Sequence, residues 1–121
     1  MKREVRLFVE DILENINLIE NSLKKLSKSE FESDKDIIDA NVRRLEVIGE
    51  AVKNIPDSFK DKYPDVPWRK IASFRDVLTH GYFRVDLDLV WRITQEDLPK
   101  LKKQIEKIKR DIETPPKKNG S

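Results

Sequence analysis

Apolar residues at Val5, Phe8, Ile12, Ile16, Ile19, Leu23 and Leu26 recur at steps of three and four. That spacing is one continuous stripe on a long amphipathic helix over residues 2–26. A polar connection over 27–34 follows, and Ser33 with Asp36 three positions on predicts a capping-box-like start. The second helix runs from about 34 to 54, with Ile37, Ile38, Asn41, Leu45, Ile48 and Val52 near one face. Gly49 lies inside it, where glycine costs about 1 kcal/mol relative to alanine. Its presence there predicts close approach by another backbone.

Pro56, Pro64 and Pro67 mark a loop over 54–67 with one short turn near 58–62. Pro67 is placed for the first turn of a third helix over 67–80, whose apolar face carries Trp68, Ile71, Phe74 and Leu78. Asp86 or Asp88 then caps a short helix containing Leu87, Val90, Trp91 and Ile93. Asp97 and Pro99 restart the chain into a last helix with Leu98, Leu101, Ile105, Ile108 and Ile112 at steps of three and four. Strand-like alternation and internal repeats are absent from the sequence. The pattern predicts an all-α protein, an antiparallel four- to five-helix bundle forming one domain over 1–113, with a flexible tail over 114–121.

Composition changes this picture only by exclusion. Charged residues make up 40% of the 121 positions, yet the formal net charge is +2, so no bulk electrostatic case for nucleic acid exists and any basic site is local. Basic residues such as Arg43, Arg44, Arg69, Lys70 and Arg84 read most simply as solvated surface charge. There is no cysteine, which removes disulfides and thiolate metal sites and fits a reducing compartment. The N-terminal run MKREVRLFVEDILENI interrupts its apolar residues with charges, so it reads as neither signal peptide nor membrane span. A cytoplasmic protein without membrane association is expected. GxGxxG, Walker and HExxH motifs are absent from the sequence. With a single histidine, metal ligation would fall to acidic pairs such as Asp86 and Asp88, which helix capping explains better; no metal and no cofactor are expected.

The stretch FRDVLTHGYF, residues 74–83, holds the candidate chemistry: Arg75, His80 and Tyr82 in the spacing R-x4-H-x-Y, with His80 the only histidine of the chain. On a helix over 67–80, Asp76 and His80 fall on one face at i and i+4, where a carboxylate can orient or charge an imidazole. Gly81 ends that helix. His80 is then near a helix C-terminus, whose dipole favours imidazolium and raises its pKa from about 6.5. Guanidinium matches phosphate oxygens bidentately and keeps its proton, and histidine exchanges one near neutral pH, so the pair suits phosphoryl chemistry. A lone histidine at a helix end is also an ordinary cap or core filler, and Tyr82 an ordinary packed aromatic. Metal-free RNA cleavage needs both a base and an acid, which one histidine cannot supply at once. A two-fold dimer would bring two copies of His80 and Arg75 into one cleft.

Three runs carry a resemblance to a known family: GEAVKNIP at 49–56, PWRKIASFRDVLTHGYF at 67–83 and VDLDLVWRITQEDLPKL at 85–101. In this order they resemble the HepT-like (DUF86) proteins of the HEPN superfamily. The resemblance implies a homodimeric HEPN-like bundle. It further implies a metal-independent endoribonuclease toxin of a type VII-like toxin–antitoxin system, partnered by a minimal nucleotidyltransferase antitoxin of the MntA type. It assigns catalysis to Arg75 and His80, and makes Tyr82 the acceptor of an AMP that silences cleavage. The expected substrate is single-stranded RNA, cut through its own 2′-hydroxyl to leave cyclic-phosphate or 3′-phosphate ends. Asp76, in a supporting role, departs from the asparagine usual in relatives; a carboxylate there either strengthens His80 as a base or pairs with Arg75 and repels RNA. The alternative is a non-catalytic helical module that binds and positions a nucleotidyltransferase or its nucleotide, with Arg75 and His80 as phosphate ligands only.

Overall fold

The structure, a computed structural model, describes residues 3–79 and 86–114, and the side chains of 4–75 and 86–114. His80, Gly81, Tyr82 and Arg84, together with the helix end expected at Gly81 and the tail from 115 onward, lie outside the described residues. Every regular element among the described residues is helical: α1 Arg3–Leu23, α2 Lys28–Glu32, α3 Lys35–Asn54, α4 Asp57–Lys60, α5 Trp68–Thr79, α6 Leu87–Arg92, a π turn Ile93–Asp97 and α7 Leu98–Glu113. The protein is an all-α, HEPN-like bundle.

The long helices form where the apolar stripes require. Val5, Val9, Ile12, Ile16, Ile19 and Leu23 of α1 are buried, and so are Leu45, Ile48 and Val52 of α3, Ile71 and Phe74 of α5, and Leu98, Leu101, Ile105 and Ile108 of α7. Helix α3 packs on both α1 and α5, while α1 also packs on α7. The directions follow from paired residues. Ser22, near the end of α1, meets Asn41 in the first half of α3, whereas Phe8 and Asp11 share a groove with Ala51 and Asn54 at its end. The two helices are therefore antiparallel. Lys102, early in α7, likewise reaches Glu20, late in α1, at 2.7 Å.

Asn41 is a fully buried polar residue on the α3 apolar stripe. Its Nδ2 donates to the Ser22 Oγ at 3.0 Å and the Ile37 carbonyl at 2.9 Å, and its Oδ1 accepts from Arg44 at 3.1 Å. A buried amide costs little only when so paired, and the Ser22 bond pins the register of α1 against α3.

Five local expectations are corrected. Helix α1 ends at Leu23, before Leu26, and the stretch read as a plain polar connection contains α2. There Ser27 and Glu30 form a reciprocal capping box, at 3.1 Å and 2.9 Å, because a five-residue helix needs its orphan N–H groups satisfied. The helix carries Phe31, fully buried and tilted against Trp91 at 5.4 Å. The cap of α3 is Asp34, which accepts from the Ile37 N–H at 3.2 Å; Ser33 closes α2 instead. Pro67 precedes α5, its carbonyl accepting from Ile71 N–H at 3.0 Å. Finally, α6 and α7 are not separated by a restart: the chain stays helical from 87 to 113 through the π turn. At that turn the Leu98 N–H reaches back to the Ile93 carbonyl. The wider turn shifts the hydrogen-bond register just where Pro99 has no N–H to offer.

Other expectations hold. Asp86 caps α6, accepting from the Leu89 N–H at 3.0 Å. Asp88 instead pairs with Lys28 at 2.6 Å, joining α6 to α2. The loop between α3 and α5 contains the short helix α4, and the Trp68 indole N–H ties that loop down by donating to the carbonyls of Lys60 and Tyr63 at 3.2 Å and 3.0 Å.

Candidate functional site

Arg75 is on the last two turns of α5, on the side that faces α3. The two helices touch here through Gly49: a Cβ at that position would lie 3.0 Å from the Arg75 backbone nitrogen, and 3.2 Å from both the Arg75 Cβ and the Ala72 carbonyl oxygen. The glycine in mid-helix is thus the close approach that its position predicts, and what it approaches is the Arg75 backbone.

Glu50, next along α3, reaches the same side chain. Its Oε2 accepts from the Arg75 Nη1 at 2.8 Å, with 52% and 43% of the two side chains exposed. Both groups line an open groove of about 470 Å³ between α1, α3 and α5. Phe8 and Asp11 of α1 form one wall, and Arg43, Glu46 and Asn54 of α3 extend the floor. Arg43, read from sequence as plain surface charge, is exposed and lines the same groove as Arg75. The other basic candidates serve elsewhere: Arg44 bonds Asn41, Lys70 pairs with Asp97 of the π turn at 3.1 Å, and Arg69 is exposed.

Of the four residues singled out from sequence, the structure therefore places Arg75 in full. Asp76 follows it on α5, with its side chain outside the described set; His80 and Tyr82 are outside it altogether. Glu50 was missed by sequence reasoning. It belongs to the run GEAVKNIP, but which face of α3 meets Arg75 depends on interhelical register, which spacing along one helix does not state.

A guanidinium on the wall of a groove of this size, steadied by a carboxylate, can bind and polarise a phosphoryl oxygen. Among the described residues no three histidine, cysteine, aspartate or glutamate side chains are grouped as a metal would require. No helix there is long and apolar enough to cross a membrane.

An all-α bundle whose α5 presents Arg75, the arginine of the sequence motif R-x4-H-x-Y, fits a HEPN-type class, and the comparisons narrow it. The family described as "Ribonuclease HepT-like" matches residues 12–108, and the chain belongs to it. It is 44% identical to "Probable ribonuclease HepT" of Thermococcus cleftensis, over 91% of this chain and 100% of the relative. It is 46% identical to "Putative RNase MJ1216" of Methanocaldococcus jannaschii, over 93% of each chain. A third relative, "Gamma-glutamylcyclotransferase and putative RNase MJ0434" of the same organism, is 42% identical over 93% of this chain, which spans only 51% of that longer protein. No solved structure matches the chain.

Proposed function

We propose that the protein is an endoribonuclease that cleaves single-stranded RNA without a metal ion, with Arg75 and His80 as its catalytic pair. The observation that carries the reading is Arg75: the motif's arginine is presented to an open groove by a backbone contact with Gly49. Membership of the ribonuclease HepT-like family and relatives named as ribonucleases support it.

In this mechanism the RNA 2′-hydroxyl attacks the adjacent phosphorus and the 5′-oxygen leaves, giving a 2′,3′-cyclic phosphate. Arg75 holds the non-bridging oxygens and stabilises the added charge of the transition state. His80 takes or gives the proton. One histidine per chain calls for a second copy across a two-fold axis to complete the acid–base pair. Control belongs to a minimal nucleotidyltransferase antitoxin that transfers AMP from an adenosine triphosphate donor to the Tyr82 hydroxyl, with pyrophosphate leaving, placing bulk and negative charge two residues from His80. Asp76 tunes the strength of the reaction.

The test is incubation of the purified protein and its His80→Ala variant with single-stranded RNA in EDTA, followed by analysis of the new ends. Cyclic-phosphate ends from the wild type alone support the reading. Absence of cleavage by the intact protein, or equal cleavage by both, overturns it in favour of a module that binds a nucleotidyltransferase.

A further inference from the structure

Two consecutive residues of α3 act on one residue of α5. Gly49 lets the α5 backbone come to within 3.0 Å of where a Cβ would be, which locates the Arg75 Cα. A contact at the backbone does not by itself orient the side chain, and an arginine carries about 2 kcal/mol of rotamer entropy. Glu50 supplies what the glycine cannot, a carboxylate 2.8 Å from the Arg75 Nη1. We infer that Glu50 is a positioning residue for Arg75: by engaging one nitrogen of the planar fork it sets the plane in which the guanidinium meets a phosphate in the groove.

The magnitudes separate this role from a stabilising one. With both side chains about half exposed, such a pair contributes only about 0–1 kcal/mol to folding. A guanidinium has five donors in a rigid fork, so a contact at one of them restricts the orientations open to the rest. Orientation matters far more to rate than to stability, since misplacing a catalytic group by about 1 Å can cost about 100-fold. The opposite role is a brake, in which the Glu50 carboxylate repels RNA phosphates and competes with them for Arg75. The two roles differ in sign: loss of a positioning group lowers kcat with little change in KM, whereas loss of a brake lowers KM and speeds cleavage.

The inference rests on the ribonuclease reading, and the experiment keeps the two apart. Cleavage of single-stranded RNA in EDTA is measured as kcat and KM for wild type, Arg75→Ala, Glu50→Ala and Glu50→Gln, with thermal melting of each. Glu50→Ala is expected to lower kcat by about 10- to 100-fold at nearly unchanged KM and melting temperature. Glu50→Gln keeps an acceptor oxygen at the same reach, and restores most of the rate. Wild-type kcat in Glu50→Ala, faster cleavage with a lower KM, or a marked fall in melting temperature would each overturn the positioning role while the ribonuclease reading stands. A wild type that does not cleave, or an Arg75→Ala variant as active as wild type, overturns that reading and the inference with it.

Discussion

The backbone of Arg75 runs so close to Gly49 that one added methyl would lie 3.0 Å from its nitrogen, tighter than nine in ten contacts of that kind. Replacing Gly49 by alanine sets two effects against each other. Helix propensity favours alanine by about 1 kcal/mol, while overpacking a tight contact costs about 1–3 kcal/mol. The atoms facing the new methyl are mostly backbone, which gives way only if α5 moves. Gly49→Ala is expected to lower the melting temperature and to displace Arg75, so that RNA cleavage falls more than stability does. A raised melting temperature with normal cleavage would show that the helices part without consequence.

Asn41 offers a test of the core. Removing its amide in Asn41→Ala forfeits the bonds to Ser22, Ile37 and Arg44 and leaves a cavity in a fully buried place, at a cost of about 2–4 kcal/mol. Ser22→Ala removes one partner and costs about 1 kcal/mol. Denaturant melts of both variants and their double mutant are expected to show a coupling of about 0.5–1.5 kcal/mol.

The Tyr63 hydroxyl donates to Asp111 at 2.8 Å, tying the loop before α5 to the end of α7. Burial, reinforced by that bond, pushes the Tyr63 pKa from 10.0 up to about 12. A pKa raised on folding means the neutral phenol is favoured in the folded state. Its stabilisation is whole below the unfolded value and is lost as pH rises through the folded one, which sets the window at pH 10.0 to about 12. The Asp111 carboxyl moves the other way, held down first by Lys107 and then by Tyr63. Its contribution is present above its ordinary 3.8 and is lost as pH falls through the folded value. Tyr63→Phe is expected to be less stable than wild type at neutral pH, with the difference shrinking across the alkaline window. A constant difference in melting temperature would contradict this.

Helices α1, α3 and α7 were legible because each repeats its apolar positions over several turns, long enough for the 3.6-residue period to stand out from chance. Helix α2 was not, since five residues show no period; its sign was local, Ser27 and Glu30 in capping-box spacing ahead of Phe31. Pro99 was misread because proline normally interrupts an α ladder, and the π turn that accommodates it has no sequence signature as strong as the proline's own. At the site, Arg75 was legible through its motif and Gly49 through its cost in a helix. Glu50 was hidden, because the contact that singles it out joins residues 25 positions apart through the packing of two helices.

The measurement that bears most directly on the central claim is single-turnover cleavage of single-stranded RNA in EDTA by wild type, Arg75→Ala, His80→Ala and the double variant. If Arg75 and His80 act on one phosphate as a unit, each single variant loses about 100-fold or more and the double variant loses little beyond either. Cleavage at the wild-type rate by either single variant would contradict the claim that this pair carries the reaction.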